Sequence, residues 1–111
     1  MKKDIFINID DFKSIFEIEI ENIPNQEFDL NINEKTYTIE LRELNERIYI
    51  TISRDNEILC LNSNIKLNVD LIYFSADDIA FFFLQKNNKW LDSNLKIENL
   101  VNDLGFYYGI I

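Results

Sequence analysis

Along most of this 111-residue chain the apolar residues fall at every second position. Ile18 and Ile20 alternate with Glu17, Glu19 and Glu21; Phe28, Leu30 and Ile32 alternate with Asp29, Asn31 and Asn33. Tyr37, Ile39 and Leu41 are interleaved with Thr38, Glu40 and Arg42, and the same period runs through Ile48, Ile50 and Ile52. A further run is Ile65, Leu67, Val69 and Leu71. Successive side chains of an extended chain point to opposite faces, so each run carries one apolar and one polar face. The gaps between runs are too short for crossover connections, which predicts antiparallel hairpins. The expected fold class is all-β: an antiparallel β-sandwich or partly open β-barrel, with at most one short helix near the C-terminus.

The turns are written in Asn and Asp, because only two Gly and one Pro are available. Asn33-Glu34-Lys35, Asn45-Glu46, Arg54-Asp55-Asn56-Glu57, Asn62-Ser63-Asn64 and Lys86-Asn87-Asn88-Lys89 are the turn candidates. Asn is the residue that best tolerates positive φ after Gly. Residues 93–104 predict a short helix, with Ser93 as cap, Leu95, Leu100 and Leu104 at helical spacing and Gly105 just past its end. Residues 8–16 read as a short helix or irregular lead. The domain reading is a single β domain over 23–111, with 1–22 as an N-terminal extension or first strand.

Two stretches break the alternation. Ile79-Ala80-Phe81-Phe82-Phe83-Leu84 and Phe106-Tyr107-Tyr108-Gly109-Ile110-Ile111 are apolar on both faces. Each is either a strand covered on both sides or a strand with one face against another subunit. If Phe81 and Phe83 face the core, Phe82 points the other way, and Tyr107 and Tyr108 likewise diverge. Phe82, Tyr107, Tyr108, Ile110 and Ile111 are therefore the candidate protein-interface residues.

Composition narrows the chemistry. Hydrophobic residues make up 47% of the chain, enough for a packed core. Eleven basic residues against 20 acidic ones leave a net charge of −9, the wrong sign for a nucleic-acid binder. The chain has no His and a single Cys, Cys60. Ser–His–Asp and Cys–His catalysis, a zinc site built on His and Cys, and an intrachain disulfide are excluded by inventory. Nine acids between residues 17 and 46 stand against Lys35 and Arg42, a local net charge of −7. Their alternation along strands reads as a solvated face; a recognition surface is the competing reading, and no calcium-loop motif is present. Cys60, between Leu59 and Leu61, reads as a buried small hydrophobe. Trp90 reads as core or rim, and Asp77-Asp78 as a loop that starts a strand. No catalytic residue, cofactor site or metal site is expected. No apolar run suits a signal peptide or a membrane helix, so synthesis in a cytoplasm is expected.

From Ile23-Pro24-Asn25-Gln26-Glu27-Phe28 onward the chain resembles the small baseplate plug-like proteins of contractile-tailed phages. Pro-Asn-Gln-x-Phe opens their pattern, and a Tyr-x-Ile-x-Leu strand follows, here Tyr37-Thr38-Ile39-Glu40-Leu41. A Leu-Gly step before a last aromatic strand is matched by Leu104-Gly105-Phe106-Tyr107-Tyr108. The resemblance covers roughly residues 23–108; Asn stands here where the family's turns usually carry Gly. It implies a non-enzymatic structural part at the baseplate or hub of a contractile phage tail or a phage-tail-like bacteriocin. The partners implied are other hub, spike and baseplate proteins, or copies of the same chain, with no nucleic acid, membrane or cofactor. The location implied is the virion, after synthesis in the bacterial host cytoplasm. Two other readings compete: a small acidic inhibitor that mimics nucleic acid and blocks a host defence protein, and a carbohydrate-binding or enzyme subunit.

Overall fold

A computed structural model describes residues 2, 4–87 and 96–111. The described residues form two antiparallel sheets. The first has four strands in chain order: β2 (Gln26–Ile32), β3 (Lys35–Leu44), β4 (Arg47–Arg54) and β5 (Glu57–Asn64). The second has three, in the order β1 (Ser14–Ile18), β7 (Leu104–Ile110), β6 (Ile79–Gln85). One short helix, α1 (Ile97–Asn102), precedes β7, and a 3-10 turn (Ile9–Asp11) precedes β1. The molecule is a β-sandwich, as the alternation predicts, and the sheets do not close into a barrel.

Three two-residue hairpins build the first sheet. The closing pairs are Ile32 with Lys35, Leu44 with Arg47 and Arg54 with Glu57. Both central residues of each turn have positive φ: Asn33 and Glu34 (52° and 66°), Asn45 and Glu46 (52° and 64°), Asp55 and Asn56 (48° and 72°). That is the signature of type I′ turns, whose twist matches the flanking strands. The period-two runs then put Tyr37, Ile39, Leu41, Ile48, Ile50 and Ile52 on the buried face. Opposite them stand Ile79, Phe81, Phe83, Leu104 and Phe106 of the second sheet, with the Tyr37 and Phe81 rings 5.4 Å apart.

Several local expectations are corrected. Asn62-Ser63-Asn64 is no turn. It lies inside β5, where the register against β4 slips twice and Asn62 takes φ 44°. The extra residues are bulges, and the Asn supplies the left-handed backbone that one of them needs. The run from Ile65 to Leu71 is not a regular strand either. Asn68 (φ 61°) interrupts it, leaving single bridges from Leu67 to Phe83 and from Val69 to Phe6. The Asp70 carboxylate accepts the Ile72 N–H at 3.0 Å and turns the chain away. Gly105 is a strand residue of β7 rather than a helix terminator; α1 ends on Asp103, whose N–H bonds to the Asn99 carbonyl. The proposed cap Ser93, with Leu95, Trp90 and the Asn88-Lys89 half of the last turn, falls outside the described residues.

Candidate protein interface

β6 and β7 present their two faces as parity requires. Phe81, Phe83, Phe106, Tyr108 and Ile110 belong to or pack on the core between the sheets. Phe82 and Tyr107, paired across β6 and β7, lie on the opposite face with their rings stacked at 5.8 Å. That outer face is not bare. The Phe12 ring stacks on Phe82 at 5.4 Å, and Phe82 is fully buried. Tyr107, Tyr108, Ile110 and Ile111 are half-buried.

Both glycines serve this arrangement. A Cβ on Gly109 would run into the Phe12 ring, and one on Gly105 into the Tyr107 ring. With no side chain at either position, the aromatic rings lie flat over the strand backbone. The lead that carries Phe12 is tied down along its length. Lys13 N–H bonds to Ile110 O at 2.7 Å, Ile7 N–H to Asn68 O at 2.8 Å, and Asp70 N–H to Ile5 O at 2.8 Å. Lys2 Nζ meets Asp70 Oδ2 at 2.8 Å, with both side chains buried. Burial pushes the Asp70 carboxyl above its ordinary range, and the Lys2 contact opposes that only in part.

A polar network missed by sequence reading joins the two sheets. Tyr37 on β3 donates its hydroxyl to Asp77 Oδ2 at 2.6 Å, and Arg54 at the end of β4 donates to Asp77 Oδ1. Arg54 also reaches Glu57 at 2.6 Å. Burial by itself would raise the Asp77 carboxyl; the hydrogen bonds from Arg54 and Tyr37 outweigh it and hold the group below the usual carboxylate range. Burial and the bond to Asp77 push the Tyr37 phenol up. No buried side-chain polar atom of this cluster lacks a partner, and the cluster fixes the loop entering β6.

The acids of the 17–46 segment are spread over both sheets. Glu17 on β1 meets Lys86 at 3.0 Å, Asp29 accepts from Thr38 at 2.7 Å, and Glu34 and Glu46 occupy turns at opposite ends of β3. Among the described residues no group of three or more His, Cys, Asp and Glu is placed to hold a metal ion. Cys60 is half-buried against the core, and burial raises its thiol. Among the described residues the most exposed large apolar one is a residue the pattern did not single out: Phe74, 92% exposed in the loop before β6. Its sequence signal is an aromatic placed within a turn rather than a strand. Ile58 and Leu61 on β5 are also exposed.

The profile of the family described as the cyanophage baseplate Pam3 plug gp18 matches residues 15–110, from the second residue of β1 to the end of β7. The chain belongs to this family. No curated protein matches it. The match takes in β1, eight residues upstream of where the resemblance in the sequence begins.

Proposed function

We propose that this chain is a non-enzymatic structural component of a contractile tail baseplate, a plug or hub-associated subunit that works through protein–protein contacts. Membership of a baseplate plug family across 15–110 is the observation that carries this reading. Its place would be the virion baseplate after synthesis in the bacterial host, and its partners other hub and spike proteins. A stiff two-layer sandwich with preformed surfaces suits that role, because rigid partners lose little conformational freedom on docking. The net charge of −9 keeps the free subunit soluble and biases which neighbours it approaches.

The candidate contacts are Tyr107, Tyr108, Ile110 and Ile111, each half-buried in the isolated chain. Phe82 joins them where a partner displaces Phe12. Large aromatics that are partly covered in the free subunit gain burial on assembly, the usual character of interface anchors. The test is a cryo-EM reconstruction of the contractile particle encoded beside this gene, with mass spectrometry of purified particles. Density for the sandwich at the baseplate, and loss of incorporation in I111R, are expected. Absence of the chain from intact particles would overturn the reading. Salt-sensitive capture of a basic nuclease would replace it with the inhibitor reading.

A further inference from the structure

A two-sheet sandwich has four outer strand edges, and an open edge is a template for pairing with another chain. Three of the four are defended here. Along β6, Asn68 N–H bonds to Phe83 O and Leu71 N–H to Phe81 O, so the 67–71 segment occupies that edge. The β5 edge is broken by two register shifts. The β2 edge carries exposed Glu27 and Asp29, so pairing β2 with itself about its middle residue sets Asp29 against Asp29. The fourth edge, β1, is neither occupied nor bulged, and its one exposed acid, Glu17, lies off the strand's centre. Its register against β7 is regular from Ser14 to Ile18, and no described strand lies on its outer side. Phe16 at its centre points to the core face, stacks on Tyr108 at 5.0 Å, and is still 44% exposed.

The sequence around this edge is self-complementary. In an antiparallel pair of two β1 strands centred on Phe16, Phe16 faces Phe16, Ser14 faces Ile18 and Ile15 faces Glu17. One residue beyond each end of the strand, Lys13 faces Glu19, twice by symmetry. Both are exposed, and neither has an ion-pair partner among the described residues. Lys13 is held in line with the sheet by its N–H bond to Ile110. Moving the centre to Glu17 would set Glu17 against Glu17; moving it to Ile15 would set Lys13 against Glu17, which Lys86 already pairs, and Glu19 against Asp11.

We propose that a second copy of this chain docks antiparallel on the β1 edge, centred on Phe16, to make one continuous sheet β6-β7-β1-β1-β7-β6 across a two-fold axis. The edge supplies main-chain hydrogen bonds with no rearrangement, Phe16 and its contact with Tyr108 gain cover, and the Lys13–Glu19 pairs fix the register. The proposal rests on the edge alone and stands apart from the plug reading.

Sedimentation equilibrium of the full chain over a wide concentration range tests it. A reversible dimer is expected, weakened by added salt because the ion pairs are exposed. K13E and E19K should each raise the dimer dissociation constant by about tenfold, since each replaces two attractive pairs with two repulsive ones. The double swap K13E/E19K should restore it. All three changes are on exposed side chains, and far-UV circular dichroism checks that the fold is kept. A folded wild-type chain that stays monomeric throughout would overturn the proposal. So would a dimer indifferent to K13E, or a double swap that fails to recover affinity.

Discussion

The sheet β2-β3-β4-β5 is assembled from neighbours in the chain, each strand joined to the next by a two-residue turn. The sheet β1-β7-β6 joins the two ends of the chain instead: β1 lies against β7, 96 positions apart at the Ser14–Ile110 pair, and only β6–β7 links elements of the C-terminal third. The two sheets answer to different physics. A local hairpin closes a short loop, and its register follows from the turn. A sheet made from the chain ends incurs a large loop-closure entropy and is held by its apolar faces. That is why β6 and β7 are apolar on both sides, Phe81 and Phe83 toward the sandwich interior and Phe82 under Phe12.

The sharpest break of this comparison is removal of residues 106–111. They form most of β7, the strand that pairs with both β1 and β6. Without them the three-stranded sheet has no centre, and Phe106, Tyr108 and Ile110 leave the core. The truncated chain is expected to lose its cooperative unfolding transition altogether, read by urea denaturation followed by tryptophan or tyrosine fluorescence. A truncated chain that kept the wild-type midpoint would mean the four-stranded sheet stands alone.

Next in size is the join between the sheets. Asp77 accepts from Tyr37 and Arg54 of one sheet just before the chain enters β6 of the other. D77A leaves both donors without their acceptor in a largely buried place and is expected to cost about 3 kcal/mol. The pH dependence follows from the sign of the shift. The folded-state pKa of Asp77 is depressed, so its stabilisation is present above the unfolded carboxylate pKa of about 3.9 and is lost as pH falls through the folded value. D77N should therefore flatten the acid limb of the stability profile. Asp70 carries the opposite sign, its folded pKa being raised, so D70N should leave that limb in place. Equal acid limbs in wild type and D77N would contradict the assignment.

The cover on the outer face of the three-stranded sheet is worth less. F12A removes the ring over Phe82 and Gly109 and is expected to cost about 2 kcal/mol by loss of buried area and stacking. G109A should destabilise by the reverse route, since its Cβ occupies the place of the ring. F12A/G109A should then cost less than the two single changes added together, a coupling that a double-mutant cycle of thermal unfolding measures.

These two regions also differ in how far they can be read from residues alone. Strands β2, β3 and β4 of the four-stranded sheet, their inward residues and the three turns follow from the period-two runs and from Asn and Asp between them; β5, bulged and without a clean alternation, does not. So does the parity of Phe81, Phe82 and Phe83. Pairing between chain ends leaves no periodic mark, so neither the β1–β7 pair nor the lead under which Phe82 is buried could be read from the pattern. Asn68 and Asn62 look alike in sequence to the turn-forming Asn33. Only the neighbouring strands decide that one interrupts a run and another makes a bulge. The Tyr37–Asp77–Arg54 cluster was illegible for the same reason: 40 and 23 positions separate its members from Asp77, and no spacing rule connects them.

The smallest effect sharpens the comparison from the hairpin side. In type I′ turns the second central residue is most often Gly, because a side chain at positive φ crowds the following carbonyl. Here Glu34 and Glu46 hold that place, at φ 66° and 64°. Both are exposed, and no hydrogen bond or ion pair of either side chain offsets the strain among the described residues. E34G and E46G are each expected to stabilise the fold by about 0.5–1 kcal/mol, the relief of left-handed strain being partly offset by the greater entropy of Gly in the unfolded chain. Each also removes one negative charge from a segment of net −7, which acts in the same direction. E34Q separates the two causes, since it removes the charge and keeps the strained Cβ. Chemical denaturation of the three variants decides it: a gain in E34G matched in full by E34Q would assign the effect to charge, and no gain in either would show that the turn carries Glu without strain.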